Sequence, residues 1–140
     1  VDPARFAGDA CTEYSIARRS GIAITAEPTV AELARELAPF GVLVDALLGT
    51  GFEGVVREPC AGWIRCANDA RGRGAFVAAL DLPSGLDADL GTGREGCVRA
   101  DLTLGFAAPK LAFELPACAA VLGEVLILSI GAPSGAAPLG

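Results

Sequence analysis

The sequence predicts an α/β fold with a mostly parallel sheet and helices on both faces. Three observations carry that expectation. Apolar runs recur at Val42–Leu48, Ala75–Leu82, Ala100–Phe106 and Glu124–Ile130, and the first opens without alternation, as a strand covered on both faces does. Stretches with apolar residues at helical spacing lie among them. The early part of the chain alternates helix and strand, which implies right-handed crossovers between parallel strands.

Taken in order, Gly8 to Ser20 has Ala10, Tyr14 and Ala17 at helical spacing, and Gly21 can end that helix. Gly21 to Thr25 is a short β-like run. Thr29 and Glu32 form a capping box, with Val30, Leu33 and Leu37 as the apolar face of the helix that follows. The strand at Val42–Leu48 breaks at the glycine-rich stretch Gly49 to Gly54. Pro59 suits a first helical turn, and Cys60, Trp63, Ile64 and Ala67 supply one apolar face before Gly72 and Gly74. The spacing makes Trp63 a core residue, and Asn68 reads as a C-terminal cap. Pro83-Ser84-Gly85 stops the second strand, and a polar loop runs from Leu86 to Gly96. Leu102 and Leu104 face one way in the third strand, a short helix is expected over Pro116 to Leu122, and the fourth strand follows. The expected organisation is one domain over 1–131 and a linker or disordered tail, rich in Gly, Pro, Ala and Ser, over 132–140.

Composition narrows the function classes. The chain has 140 residues, 52% of them hydrophobic and 20% charged, enough to build a core. A net charge of -6 argues against nucleic acid as a partner. No apolar run reaches the roughly 18 residues of a membrane helix. Histidine is absent, which removes Ser-His-Asp and Cys-His catalysis and histidine metal sites. The five cysteines form no Cys-x-x-Cys pair and read as buried structural thiols in a reducing cytoplasm.

In open α/β sheets, ligands bind beyond the carboxyl ends of the strands. That rule selects Asp45 through Val55 and Asp81 through Asp87. Asp45 sits in an apolar run, so its carboxylate must cap a turn, pair, or meet a cation. Asp81, between Leu80 and Leu82, is either a turn former or a site residue. Two strands that each end in an acid, with the Ser84 hydroxyl beside one of them, favour a shared polar site. Gly49 to Gly54 matches G-x-G-x-x-G, but no helix opens at once and no acid ends the next strand about 20 residues on, as a dinucleotide fingerprint requires.

At these residues the chain resembles the NAD(P)H-hydrate epimerase family, also called the YjeF N-terminal domain. The matching text is Val44-Asp45-Ala46-Leu47-Leu48-Gly49-Thr50-Gly51-Phe52, then Gly54, Arg57 and Pro59. It continues with Asp81-Leu82-Pro83-Ser84-Gly85-Leu86-Asp87, Gly91, Ala100-Asp101-Leu102-Thr103, Phe106, Lys110 and Gly123-Glu124-Val125. The resemblance implies a Rossmann-like three-layer α/β/α sandwich and a bound potassium ion held by Asp45 and Ser84. It implies substrate contacts from Gly49, Thr50, Gly51, Phe52, Glu53, Gly54, Val55 and Asp81, with Asp81 as the catalytic residue. The implied reaction interconverts the R and S forms of hydrated NADH and NADPH. The resemblance also allows a homodimer and fusion to a downstream ADP- or ATP-dependent dehydratase domain.

The family's Asn-Asn-Gly-Gly-Asp-Gly loop has no match in Val1 to Ser20. The expectation is therefore that this stretch lies upstream of Val1, that the chain alone lacks part of the site, and that a sheet edge or helix face is exposed. Lys110 suits solvent or a ligand, and Arg57 a phosphate or a nearby acid. Two other readings stand beside the epimerase: a nicotinamide-dependent oxidoreductase using Gly49 to Gly54, and a non-catalytic protein-binding module of the same fold.

Overall fold

The computed structural model describes residues 6–131. The tail expected over 132–140 therefore lies outside the described residues. Helix α1 spans Asp9–Arg19, α2 Val30–Leu37 and α3 Cys60–Gly72. The strands are β1 Val42–Asp45, β2 Phe76–Leu80, β3 Leu102–Phe106 and β4 Glu124–Leu128. Short helices α4 (Leu111–Glu114) and α5 (Ala119–Leu122) flank a 3-10 turn at Pro116–Cys118 before β4. The sheet runs β1-β2-β3-β4, and every pairing in it is parallel. Among the described residues no helix is long and apolar enough to cross a membrane.

Local chemistry explains most boundaries. The capping box of α2 forms as the sequence predicts: Thr29 Oγ1 accepts from Glu32 N–H, and Thr29 N–H donates to the Glu32 carboxylate at 2.8 Å. Strand β1 ends earlier than its apolar run because Leu47 N–H turns back to the Asp45 carboxylate. Strand β2 ends at Leu80 because Asp81 takes a left-handed backbone, φ 68°, that no strand can continue. The β-like run Gly21 to Thr25 forms no strand, since no described residue offers it a ladder. Helix α4 carries too few residues for helical periodicity to announce it.

Two apolar clusters hold the fold. One joins Leu43 and Val77 of the sheet to Ile64 and Ala70 of α3 and to Val98. The other packs Leu82, Leu86 and Cys97 against Ala112, Cys118 and Leu122. Each fully buried aliphatic side chain contributes about 1.5–3 kcal/mol. Trp63 is buried, as its spacing predicts, and its indole N–H donates to Pro28 O at 2.9 Å. Asn68 is no helix cap. Its amide donates to Cys97 O and accepts from Arg99 N–H, tying α3 to the chain before β3. Strand β1 is a sheet edge, with Val42 and Val44 each 63% exposed.

Asp101 fastens the sheet to α3: it accepts from Val77 N–H at 2.9 Å and from the Arg71 guanidinium at 2.7 Å. Desolvation pushes its carboxyl up, but the Val77 N–H and Arg71 outweigh that and hold it below the usual carboxylate value. A depressed folded pKa stabilises the protein above the unfolded value of about 3.9, and that contribution is lost as pH falls through the folded pKa. Asp101→Asn is therefore expected to lower urea-unfolding stability at pH 7. The wild-type advantage over it should shrink below about pH 4. An advantage that is flat from pH 7 to 2.5 would contradict this.

Candidate functional site

The parallel register aligns the carboxyl ends of β1, β2 and β3. Asp45, the last residue of β1, pairs with Ala79, so Asp81 lies two residues farther on, just past the end of β2 and on the same rim. Leu80 in turn pairs with Leu104 of β3, and Asp81 N–H donates to Leu104 O at 2.8 Å. The two acids singled out from sequence thus share one edge of the sheet.

Asp45 and Ser84 touch. Ser84 Oγ–H donates to Asp45 Oδ1 at 2.6 Å, and Ser84 N–H donates to Asp45 Oδ2 at 2.8 Å. Asp45 is 6% exposed and Ser84 1%. Ser84 Oγ also accepts from Leu48 N–H at 2.9 Å and lies 3.2 Å from Leu48 O. One carboxylate therefore locks the turn after β2 to the turn after β1. The turn-capping role for Asp45 also holds, through Leu47 N–H at 3.3 Å. No buried side-chain polar atom among the described residues lacks a partner.

The rim's oxygen donors fit a singly charged hard cation in kind. They comprise one carboxylate, one hydroxyl and the Leu48 carbonyl, with no thiolate or imidazole. A divalent ion favours more anionic oxygens, and no cluster of three acidic, Cys or His residues that could hold a metal exists among the described residues.

Asp81 has a second anchor that the sequence did not reveal. Lys110 Nζ lies 2.5 Å from Asp81 Oδ1, and the Lys110 side chain is only 14% exposed. The same ammonium donates to Phe106 O at 2.9 Å. The solvated reading of Lys110 is thus wrong. Its signal was its place just past a strand end, next to a strand that ends in an acid.

The loop from Gly49 to Val55 turns back through Phe52 N–H to Gly49 O, 3.1 Å. Side chains added at Gly49, Gly51 or Gly54 would meet nothing within 4 Å, so the backbone is open to a ligand's approach. Only Gly54 has a positive φ among these three, at 88°. Phe52, Glu53, Gly54, Val55 and Arg57 line a cavity of about 530 Å³. Gly54, Val55, Arg65, Gly85 and Arg94 line a second of about 650 Å³. A third, about 470 Å³ and largely apolar, runs beside β1 down to Asp45. Asp81 lines none of these three cavities. The next helix, α3, begins only at Cys60, which removes the geometry a dinucleotide fingerprint needs.

Two of the buried cysteines are poorly suited to nucleophilic chemistry. Burial pushes the Cys97 thiol up to about 11, and burial also raises Cys66. Both therefore stay protonated at neutral pH. Cys66, Cys97 and Cys118 are the buried thiols the sequence predicts, whereas Cys11 is exposed and Cys60 half-buried.

Residues 1–112 match the family model described as YjeF-related protein N-terminus. The NAD(P)H-hydrate epimerase of Pirellula staleyi is 38% identical over 134 residues, covering 94% of this chain and 58% of that protein. The enzyme of the same name from Rhodopirellula baltica is 40% identical over 126 residues, covering 90% and 50%. The bifunctional NAD(P)H-hydrate repair enzyme Nnr of Pyrobaculum aerophilum is 44% identical over 92 residues, covering 66% and 18%. The chain thus spans between 50% and 58% of the length of the two epimerases it matches. The crystal structure of yeast ynu0 shares the fold, with a TM-score of 0.52 at 23% identity over 58% of this chain and 34% of that one.

Proposed function

This chain belongs to the YjeF-related protein N-terminus family, and on that premise we propose that it epimerises hydrated NADH and NADPH at the carboxyl rim of its sheet. The observation that carries the reading is the shared rim: Asp45 bonded to Ser84 after β1, and Asp81 just past the end of β2.

The substrate carbon carries a hydroxyl beside a ring nitrogen. The Asp81 carboxylate accepts the proton of that hydroxyl as the ring carbon–nitrogen bond breaks to leave an aldehyde, and Asp81 passes the proton to the departing nitrogen. The aldehyde then turns over, the nitrogen adds to its opposite face, and the proton returns through Asp81 from nitrogen to oxygen. Atoms and protons balance, and no electrons leave the ring. Asp45, Ser84 and the Leu48 carbonyl would hold potassium, which supplies a fixed positive charge on the rim. The loop 49–55 binds the nucleotide through its open backbone. A dehydratase acting on the epimerised product would share this substrate, on the same polypeptide or another.

The test follows one pure epimer of NADPH hydrate by chromatography in the presence of the full-length protein. Equilibration of R and S above the spontaneous rate, with no gain or loss of oxidised cofactor, is expected. Equilibration at only the spontaneous rate, or hydride transfer to an acceptor, would overturn the reading.

A further inference from the structure

We propose that Lys110 is a positioning residue for Asp81, clamping one carboxylate oxygen so that the other faces the substrate. The proposal rests on the epimerase reading above.

Lys110 is the single lysine of the sequence, where arginine supplies every other basic side chain. An ammonium is a compact point charge with three donors, whereas guanidinium is a wide planar fork. The one place that keeps the compact cation is the ion pair with Asp81, at 2.5 Å. A second donor goes to Phe106 O at the end of β3, so the ammonium is pinned to the sheet from one side and to Asp81 from the other. The Asp81 backbone is pinned as well, through its N–H to Leu104 O of the same strand.

Asp81 takes a left-handed backbone, φ 68°, which aspartate tolerates better than most residues. Its ion pair with Lys110 is largely buried, at 25% and 14% side-chain exposure, where the cost of desolvation offsets much of the Coulombic gain. The arrangement therefore serves orientation more than stability. With the backbone and Oδ1 both fixed, the direction of Oδ2 is fixed too, and no other partner for it occurs among the described residues. Orientation of this kind acts on the rate of the chemical step and not on substrate affinity.

The test uses the full-length protein with Lys110→Met, Lys110→Arg and Asp81→Asn. Turnover of NADPH hydrate and the NMR signal of the Lys110 ammonium are read together. Lys110→Met should lower kcat by about 10–100-fold and leave KM within about threefold. Lys110→Arg, which keeps charge but not shape, should fall between it and wild type. The Lys110 ammonium should give a slowly exchanging signal in wild type that broadens away in Asp81→Asn. Wild-type kcat in Lys110→Met, a loss carried by KM, or an ammonium signal indifferent to Asp81→Asn would overturn the role of Lys110 alone. Wild-type protein without epimerisation would instead overturn the functional reading, and this role with it.

Discussion

Asp81→Asn should lower epimerisation by about 10²–10⁴-fold, the usual contribution of a positioned acid or base, while the protein stays folded. The two effects separate for a conformational reason. Asparagine tolerates the left-handed backbone that Asp81 adopts, and its N–H can still donate to Leu104 O. The proton-accepting carboxylate is lost, but the asparagine amide oxygen can still accept from the Lys110 ammonium in its place. Parallel measurement of kcat/KM and thermal unfolding would show a collapse in the first and little change in the second. Full activity in Asp81→Asn would remove Asp81 from the mechanism.

The second large effect is structural. Asp45→Ala should destabilise the domain by about 3–5 kcal/mol, because breaking a buried charged network leaves its partners unpaired. Ser84 N–H and Leu47 N–H both lose their acceptor, and Ser84 Oγ–H must find another. Asp45→Asn keeps the shape and should cost less, about 1–2 kcal/mol. Urea unfolding measures both. Potassium supplies an independent readout, since an ion bound only by the folded state raises the melting temperature. Replacing tetramethylammonium by potassium at constant ionic strength should stabilise wild type but not Asp45→Asn. Equal shifts in the two proteins would count against a site at Asp45 and Ser84.

Much of this fold could be read from the residues. The capping box at Thr29 and Glu32, the apolar runs of the four strands and the acid ending β1 are local signals, and each appears where its chemistry places it. What stayed hidden depends on tertiary contact. Gly21 to Thr25 has strand-like composition, but a strand also needs a neighbour, and none of the described residues provides one. Asn68 looks like a cap until Cys97 and Arg99 are brought to its amide. Leu48 holds Ser84 entirely through its backbone, which leaves no mark in residue identity. Lys110 could not be paired with Asp81 before β2 and β3 were known to be neighbours.

If hydrated nicotinamide sits against Asp81 on the carboxyl rim, a crystal structure of the full-length protein with bound NADP⁺, a stable stand-in for the hydrate, will show it. The nicotinamide ring should lie within hydrogen-bond reach, about 3 Å, of the Asp81 oxygen that Lys110 does not hold, with phosphates against the backbone of 49–55. A nucleotide lying instead along the apolar groove beside β1, with its ring away from Asp81, would contradict it.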